Sequence, residues 1–227
     1  MVFIMGGMKP VATLIGDLVG SRTSADRTDL HRRLGAALGE VNDLLAPLRP
    51  LWITAGDEYQ GTFATVGEAV RATLLVRLRL VPAYDVRHGI GWGGTTVLDE
   101  ATGVEDGPGW WAARAAIVAA ADAERTPASR SLRTAYAVAD GASGGADPAL
   151  VNAALVLRDE RVSGLSERSL SVLRGLLVHA TQRDLAEELG ISASAVSQRV
   201  RADGLAAIVT AHELMAPPAG EEGGARR

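Results

Sequence analysis

Apolar and polar positions alternate between two periods along this chain. Residues 11–18, VATLIGDL, form an apolar run broken by one carboxylate, Asp17, and lead into Gly20 and Ser21, the pattern of a buried strand ending in a turn. From Asp26 to Leu45 the apolar positions Leu30, Leu34, Leu38, Val41 and Leu45 recur every three or four residues, with Asp26 or Thr28 available as a cap, which predicts an amphipathic helix. Pro47 and Pro50 then break the chain, and residues 51–63 read as strand, tight turn and strand with Asp57 and Glu58 at the tip. Residues 66–80 predict a second helix, 85–97 a strand or strand pair bent at glycines, and the alanine-rich 109–123 a third helix. SLRTAYAVAD (131–140) adds a further strand. The order βαββαβα predicts an α+β, ferredoxin-like palm: an antiparallel sheet with helices on one face.

The palm spans 9–140, after a frayed extension at 1–8. GASGGAD, 141–147, reads as a flexible linker. Beyond it, 148–163, 166–179, 181–189 and 193–208 are helical by period, giving a helical unit over 148–215 with a helix-turn-helix at 181–208, then a disordered polar tail at 216–227.

Composition narrows the chemistry. With 47% hydrophobic residues the 227-residue chain can build a core and a smaller second unit. It has no cysteine, which excludes disulfides, thiolate nucleophiles and iron–sulfur ligation, so a metal must sit on oxygens. No apolar run approaches the roughly 20 residues that span a bilayer, and the expectation is a cytoplasmic protein with no membrane partner. Net charge is −4, so no global field draws the molecule to nucleic acid. Lys9 is the single lysine, which leaves phosphate recognition to arginines and backbone amides.

Asp17 stands in an apolar strand, where an ionised carboxylate needs a cation, an arginine or a shifted pKa. In a palm the first strand and the hairpin lie side by side, so the carboxylates of Asp17, Asp57 and Glu58 can converge. Such a set of hard oxygens suits Mg2+ or Mn2+ with positions left for phosphate oxygens. The turn through Gly20 and Ser21 lets a phosphate approach closely, and Arg22, Arg87 and Arg114 are candidate phosphate clamps. The plain alternatives are turn chemistry for Asp57 and Glu58 and a structural ion pair of Asp17 with Arg22 or Arg87. His88, on the returning strand, reads as packed or hydrogen-bonded rather than catalytic.

Asp17-Leu18-Val19-Gly20-Ser21 resembles the D-I-x-G-x turn of class III nucleotidyl cyclases, Ala55-Gly56-Asp57-Glu58-Tyr59 is similar to the GGDEF hairpin of diguanylate cyclases, and Trp110-Trp111-Ala112-Ala113-Arg114 resembles the cyclase N-x-x-A-R helix. Residues 9 to about 215 resemble the SatD-like family of bacterial proteins. The cyclase resemblance implies that Asp17 and Asp57 hold metal, with Glu58 a third ligand, and that Arg114 steadies transition-state charge. Trp110 stands where those cyclases carry a transition-state asparagine and Ile53 where they carry a base-reading lysine, so Trp110 either stacks on a base or packs its helix. Sites of this type often form between two palms, which implies a homodimer.

In the helical unit, Leu185, Ala186, Leu189, Ile191 and Val196 seal two helices around Gly190, with Thr181 and Ser192 as caps. This pair resembles the helix-turn-helix of sigma region 4, LuxR and MarR proteins. Ser194, Ser197, Gln198 and Arg201 would face a major groove, Gln198 and Arg201 reading bases, while Arg183 and Arg199 touch phosphates. From Ser163 to Met215 the balance is five arginines against six acids, so the unit either needs a dimer to hold DNA or serves as a protein-docking module. The leading expectation is a nucleotide-sensing, DNA-binding transcriptional regulator whose palm takes a nucleoside triphosphate or cyclic nucleotide with Mg2+ or Mn2+. The alternatives are an active nucleotidyl cyclase or nucleotidyltransferase using two metals, and a degenerate palm serving only as a dimerisation scaffold.

Overall fold

The computed structural model describes residues 9–20, 26–99 and 103–216. In chain order the elements are β1 (Val11–Leu18), α1 (Arg27–Leu45), β2 (Arg49–Ala55), β3 (Glu58–Phe63), α2 (Val66–Leu80), β4 (Val86–Gly93), β5 (Thr96–Asp99), β6 (Val104–Asp106), α3 (Pro108–Ala123), β7 (Thr134–Val138), α4 (Pro148–Ser163), α5 (Glu167–Leu177), α6 (Gln182–Glu188), α7 (Ala193–Ala202) and α8 (Leu205–Leu214). The expected palm order is present, with the small β5–β6 ribbon inserted before α3.

Local chemistry starts the helices where the pattern placed them. Asp26 accepts from the Asp29 amide to cap α1, Thr65 and Glu68 form a reciprocal capping box on α2, and Asp147 caps α4 ahead of Pro148. The five-stranded sheet runs β2-β3-β1-β4-β7, and β1 is antiparallel to both of its neighbours.

Two details of the predicted palm are corrected. The sheet is mixed, because β7 lies parallel to β4; the intervening α3 crosses over and returns the chain to the same end. Helices cover both faces rather than one. Alternation along β1 sends Ala12, Leu14 and Leu18 into the main core with α1 and α2, and sends Ile15 to the other face against Trp110, Ala113 and Ile117 of α3. On that second face α3 lies almost on bare backbone. A Cβ added at Gly91 would stand 2.1 Å from the Gly109 carbonyl oxygen, and one at Gly89 would stand 2.2 Å from that of Ala113. Thr13 also donates from Oγ1 to the Gly109 carbonyl at 2.8 Å.

The helical half is fastened to the sheet. Segment 141–147, expected as a flexible linker, is held by Trp92 Nε1 donating to the Ser143 carbonyl and the Tyr136 hydroxyl donating to that of Ala146. The Asn152 amide of α4 bonds both the N–H and the C=O of Tyr136, completing the outer edge of β7. Leu155, Leu173, Leu185 and Leu205 belong to the same core as the sheet. Arg174 of α5 donates to the carbonyls of Leu78 and Val81, satisfying the C-terminal end of α2. The helix expected over 166–179 ends at Leu177, where His179 takes a positive φ of 63°. The helix expected over 193–208 is divided at Gly204, whose φ of 62° separates α7 from α8. Among the described residues no helix is long and apolar enough to cross a membrane. The expected extension at 1–8 and the tail from 217 onward lie outside the described residues.

Candidate cation and phosphate site

The face of β1 that carries Ile15 also carries Asp17, one step beyond the cover of α3, and register places Asp17 opposite Arg87 of β4. On β3, Tyr59 points to the opposite face, so Glu58 shares the Asp17 side. The β2–β3 turn that presents Asp57 is made by Gly56 at φ 63°, a conformation suited to glycine. Behind the site, on the core side, the ring of Tyr59 lies over Gly16, and its hydroxyl shares a 2.5 Å hydrogen bond with His88 Nε2. Burial holds this pair neutral, pushing the Tyr59 phenol well up and the His88 imidazole well down. His88 is therefore packed, as expected.

Two arginines face the acids. Arg87 Nη1 lies 3.3 Å from Asp17, and its Nη2 lies 2.8 Å from Glu124 at the end of α3. Arg114 meets Glu58 in a two-pronged pair at 2.8 and 2.9 Å, which holds the guanidinium more firmly protonated than usual. Burial raises the Asp17 carboxyl above its ordinary 3.8; Arg87 opposes that shift, and the charges of Asp57, Glu58 and Glu124 add to it. Glu58, expected as a third metal ligand, is engaged by Arg114, and among the described residues no three acids or histidines close into a metal cage. Mg2+ needs no such cage, since one or two carboxylates with substrate phosphates suffice.

Gly20 takes the positive φ of 72° expected of the turn, whereas Ser21 and Arg22 lie outside the described residues. Trp110 is buried against Ile15, Ala113 and Ile117 and donates to Glu105 at 3.3 Å, which is the packing alternative, while Trp111 is 62% exposed.

The ion pairs continue away from the site. Glu124 also meets Arg133 at 3.2 Å, Arg133 meets Asp85 at 2.7 Å, and Asp85 meets Arg77 at 2.8 Å. Arg77 then lies 3.6 Å from Asp159 of α4, which pairs with Arg158 at 2.9 Å. The sequence reading missed this series. Its readable signal was Asp159 itself, a carboxylate on the buried stripe Leu155, Asp159 and Val162 of α4.

In the helical half, α6 and α7 meet around Gly190 at φ 62°, capped by Thr181 and Ser192. Arg183, Ser194, Gln198 and Arg201 are exposed, Ser197 is half-buried, and Arg199 is half-buried with Nη1 3.5 Å from the Ser169 hydroxyl.

A model of the SatD family matches residues 11–215. The chain belongs to the SatD family. No curated protein matches this SatD chain. Among solved structures, it is similar to the catalytic core of a rhodopsin-guanylyl cyclase with converted specificity, at 17% identity over 49% of this chain and 72% of the other, TM-score 0.42. It is similar also to the adenylyl cyclase CyaB from P. aeruginosa, at 14% identity over 47% and 69%, TM-score 0.39. A bacterial light-regulated adenylyl cyclase is 12% identical over 57% of this chain and 76% of its own, TM-score 0.43. Each is a distant likeness, over about half of this SatD chain.

Proposed function

We propose that this protein binds a nucleotide together with a divalent cation on the sheet face at the end of β1. The observation that supports the reading is the gathering of half-buried Asp17 with Asp57, Glu58 and Glu124 on one side of the sheet, faced by Arg87 and Arg114. Asp17 and Asp57 would hold Mg2+ or Mn2+, and the cation would neutralise phosphate charge there. Arg114, exposed on α3, would exchange Glu58 for a phosphate oxygen, and Arg87 would steady the anion from β4. The protein senses the ligand in this reading, and the helical half reports it.

The test is thermal denaturation of the full chain with Mn2+ and each nucleoside triphosphate in turn. Ligand at 100 times its Kd stabilises by about 2.7 kcal/mol, which for a chain of this size raises Tm by roughly 5–10 °C. Asp17→Asn and Asp57→Asn are expected to abolish that rise. No rise with any triphosphate or cyclic nucleotide overturns the reading, and accumulation of a cyclic or linear product turns it from sensing to catalysis.

The exposure of Ser194, Gln198 and Arg201 on α7 and of Arg183 on α6 supports a second role as a duplex DNA reader. With so few cations such binding needs two copies on two half-sites. Arg201→Ala is expected to weaken retention of a specific duplex; equal retention by variant and wild type removes that residue from base reading.

A further inference from the structure

Where the sheet half meets the helical half, a chamber of about 360 Å3 lies between α2, α4 and α8. Val70 and Leu74, Ala154, and Ile208 and Ala211 give it an apolar wall. A second apolar chamber of about 310 Å3 shares Val70, Ala154 and Arg158 with it.

Two donors stand at this wall, one on the buried ring of His212 and one on the solvent-exposed Arg161. His212 is only 5% exposed, and its Nε2 accepts from Arg71 Nε at 3.2 Å. Burial holds the ring neutral, its pKa lowered to about 4, so the ring hydrogen resides on Nδ1. That N–H has no hydrogen-bond partner among the described residues, although His212 lines the chamber. Arg161 likewise has no carboxylate within ion-pair distance among the described residues. Its Nη2 occupies space left by Gly204, 3.0 Å from where a Cβ would stand. The neighbouring Arg158 is already committed to Asp159, Thr134 and the Val70 carbonyl.

A half-open apolar cleft with a few donors at its wall is a common form of small-molecule site, and such sites favour boundaries between structural units. Both spare groups are donors and one is a permanent cation, so the complementary head is an anion with two acceptor oxygens. At about 30 Å3 per water-sized unit, the first chamber admits roughly a dozen non-hydrogen atoms. We infer that this chamber binds a medium-chain carboxylate, its hydrocarbon filling the apolar wall and its head group meeting Arg161 and the Nδ1–H of His212. A ligand so placed touches α2 of the sheet half and α4 and α8 of the helical half together.

Titration calorimetry of the full chain with sodium decanoate, below its micelle concentration, tests the assignment. Decanoate is expected to bind, decan-1-ol and decyltrimethylammonium to bind at least tenfold more weakly, and Arg161→Gln to raise the decanoate Kd about tenfold. Ala211→Trp, which fills the chamber, is expected to abolish binding while keeping wild-type circular dichroism; Arg161→Gln carries the test should that variant misfold. No heat from decanoate, equal binding of decan-1-ol, or undiminished binding by Arg161→Gln overturns the inference. So does sedimentation showing that the wild type is a dimer which Ala211→Trp splits, because a second copy then covers this face.

Discussion

Replacing Asp159 with alanine tests how firmly the two halves are joined. Asp159 is fully buried; one oxygen accepts from the Arg133 and Thr134 amides at 2.7 and 2.8 Å, and the other takes the fork of Arg158 at 3.0 and 2.9 Å. Its removal orphans two backbone donors beside β7 and withdraws the counter-charge from Arg158 and, in part, from Arg77. Breaking a buried pair from one side costs about 3–5 kcal/mol, and the orphaned amides add to the same loss. About 4 kcal/mol is a large share of the roughly 5–15 kcal/mol that holds a folded domain together, and corresponds to a fall in Tm of roughly 8–16 °C. Asp159→Asn keeps an acceptor for the amides but loses the charge, so it should fall between. All four tryptophans precede residue 112, so their fluorescence reports the sheet half while far-ultraviolet circular dichroism reports all helices. In urea the two signals should move together in wild type and shift together in Asp159→Ala. A loss below about 1 kcal/mol refutes the reasoning, as does a circular dichroism transition that shifts alone.

Three further outcomes are expected. Gly91→Ala drives a methyl group into the backbone of α3, 2.1 Å from the Gly109 carbonyl, and should cost about 3 kcal/mol or more in urea denaturation; a loss under 1 kcal/mol means that α3 is not seated on bare strand. Arg174→Ala strips two carbonyls at the end of α2 of their donor and should lower stability by about 1–3 kcal/mol, measured the same way, with Arg174→Lys recovering only part. Because folding raises the Asp17 pKa, ionised Asp17 opposes folding. The advantage of Asp17→Asn over wild type should be absent below pH 3.8, open as pH climbs through the raised value and stay level above it; a constant difference from pH 3 to 7 contradicts the shift.

Much of the fold was legible because local signals agreed with tertiary ones. The strand at 11–18 and the helices at 66–80 and 148–163 occupy the predicted residues, since each pairs a clear period with a cap or a break. Sheet direction was not legible: whether β7 runs with or against β4 depends on where α3 packs, and no period records that. The apparent linker misled for a related reason. GASGGAD has the composition of a joint, yet Trp92 and Tyr136, distant in sequence, supply the hydrogen bonds that hold it. At the candidate site, the carboxylates and arginines were readable as residue types in order. Their pairing was not, because Glu58 with Arg114 and Arg87 with Glu124 are choices made by geometry among several possible partners.

The alternating ion pairs have a reach that no single pair has. From Asp17 through Arg87, Glu124, Arg133, Asp85, Arg77 and Asp159 to Arg158, every interior member has an opposite sign on either side. The far terminus rests against α2 and α4, so one unbroken row of charges joins the strand end to the seam with the C-terminal helices.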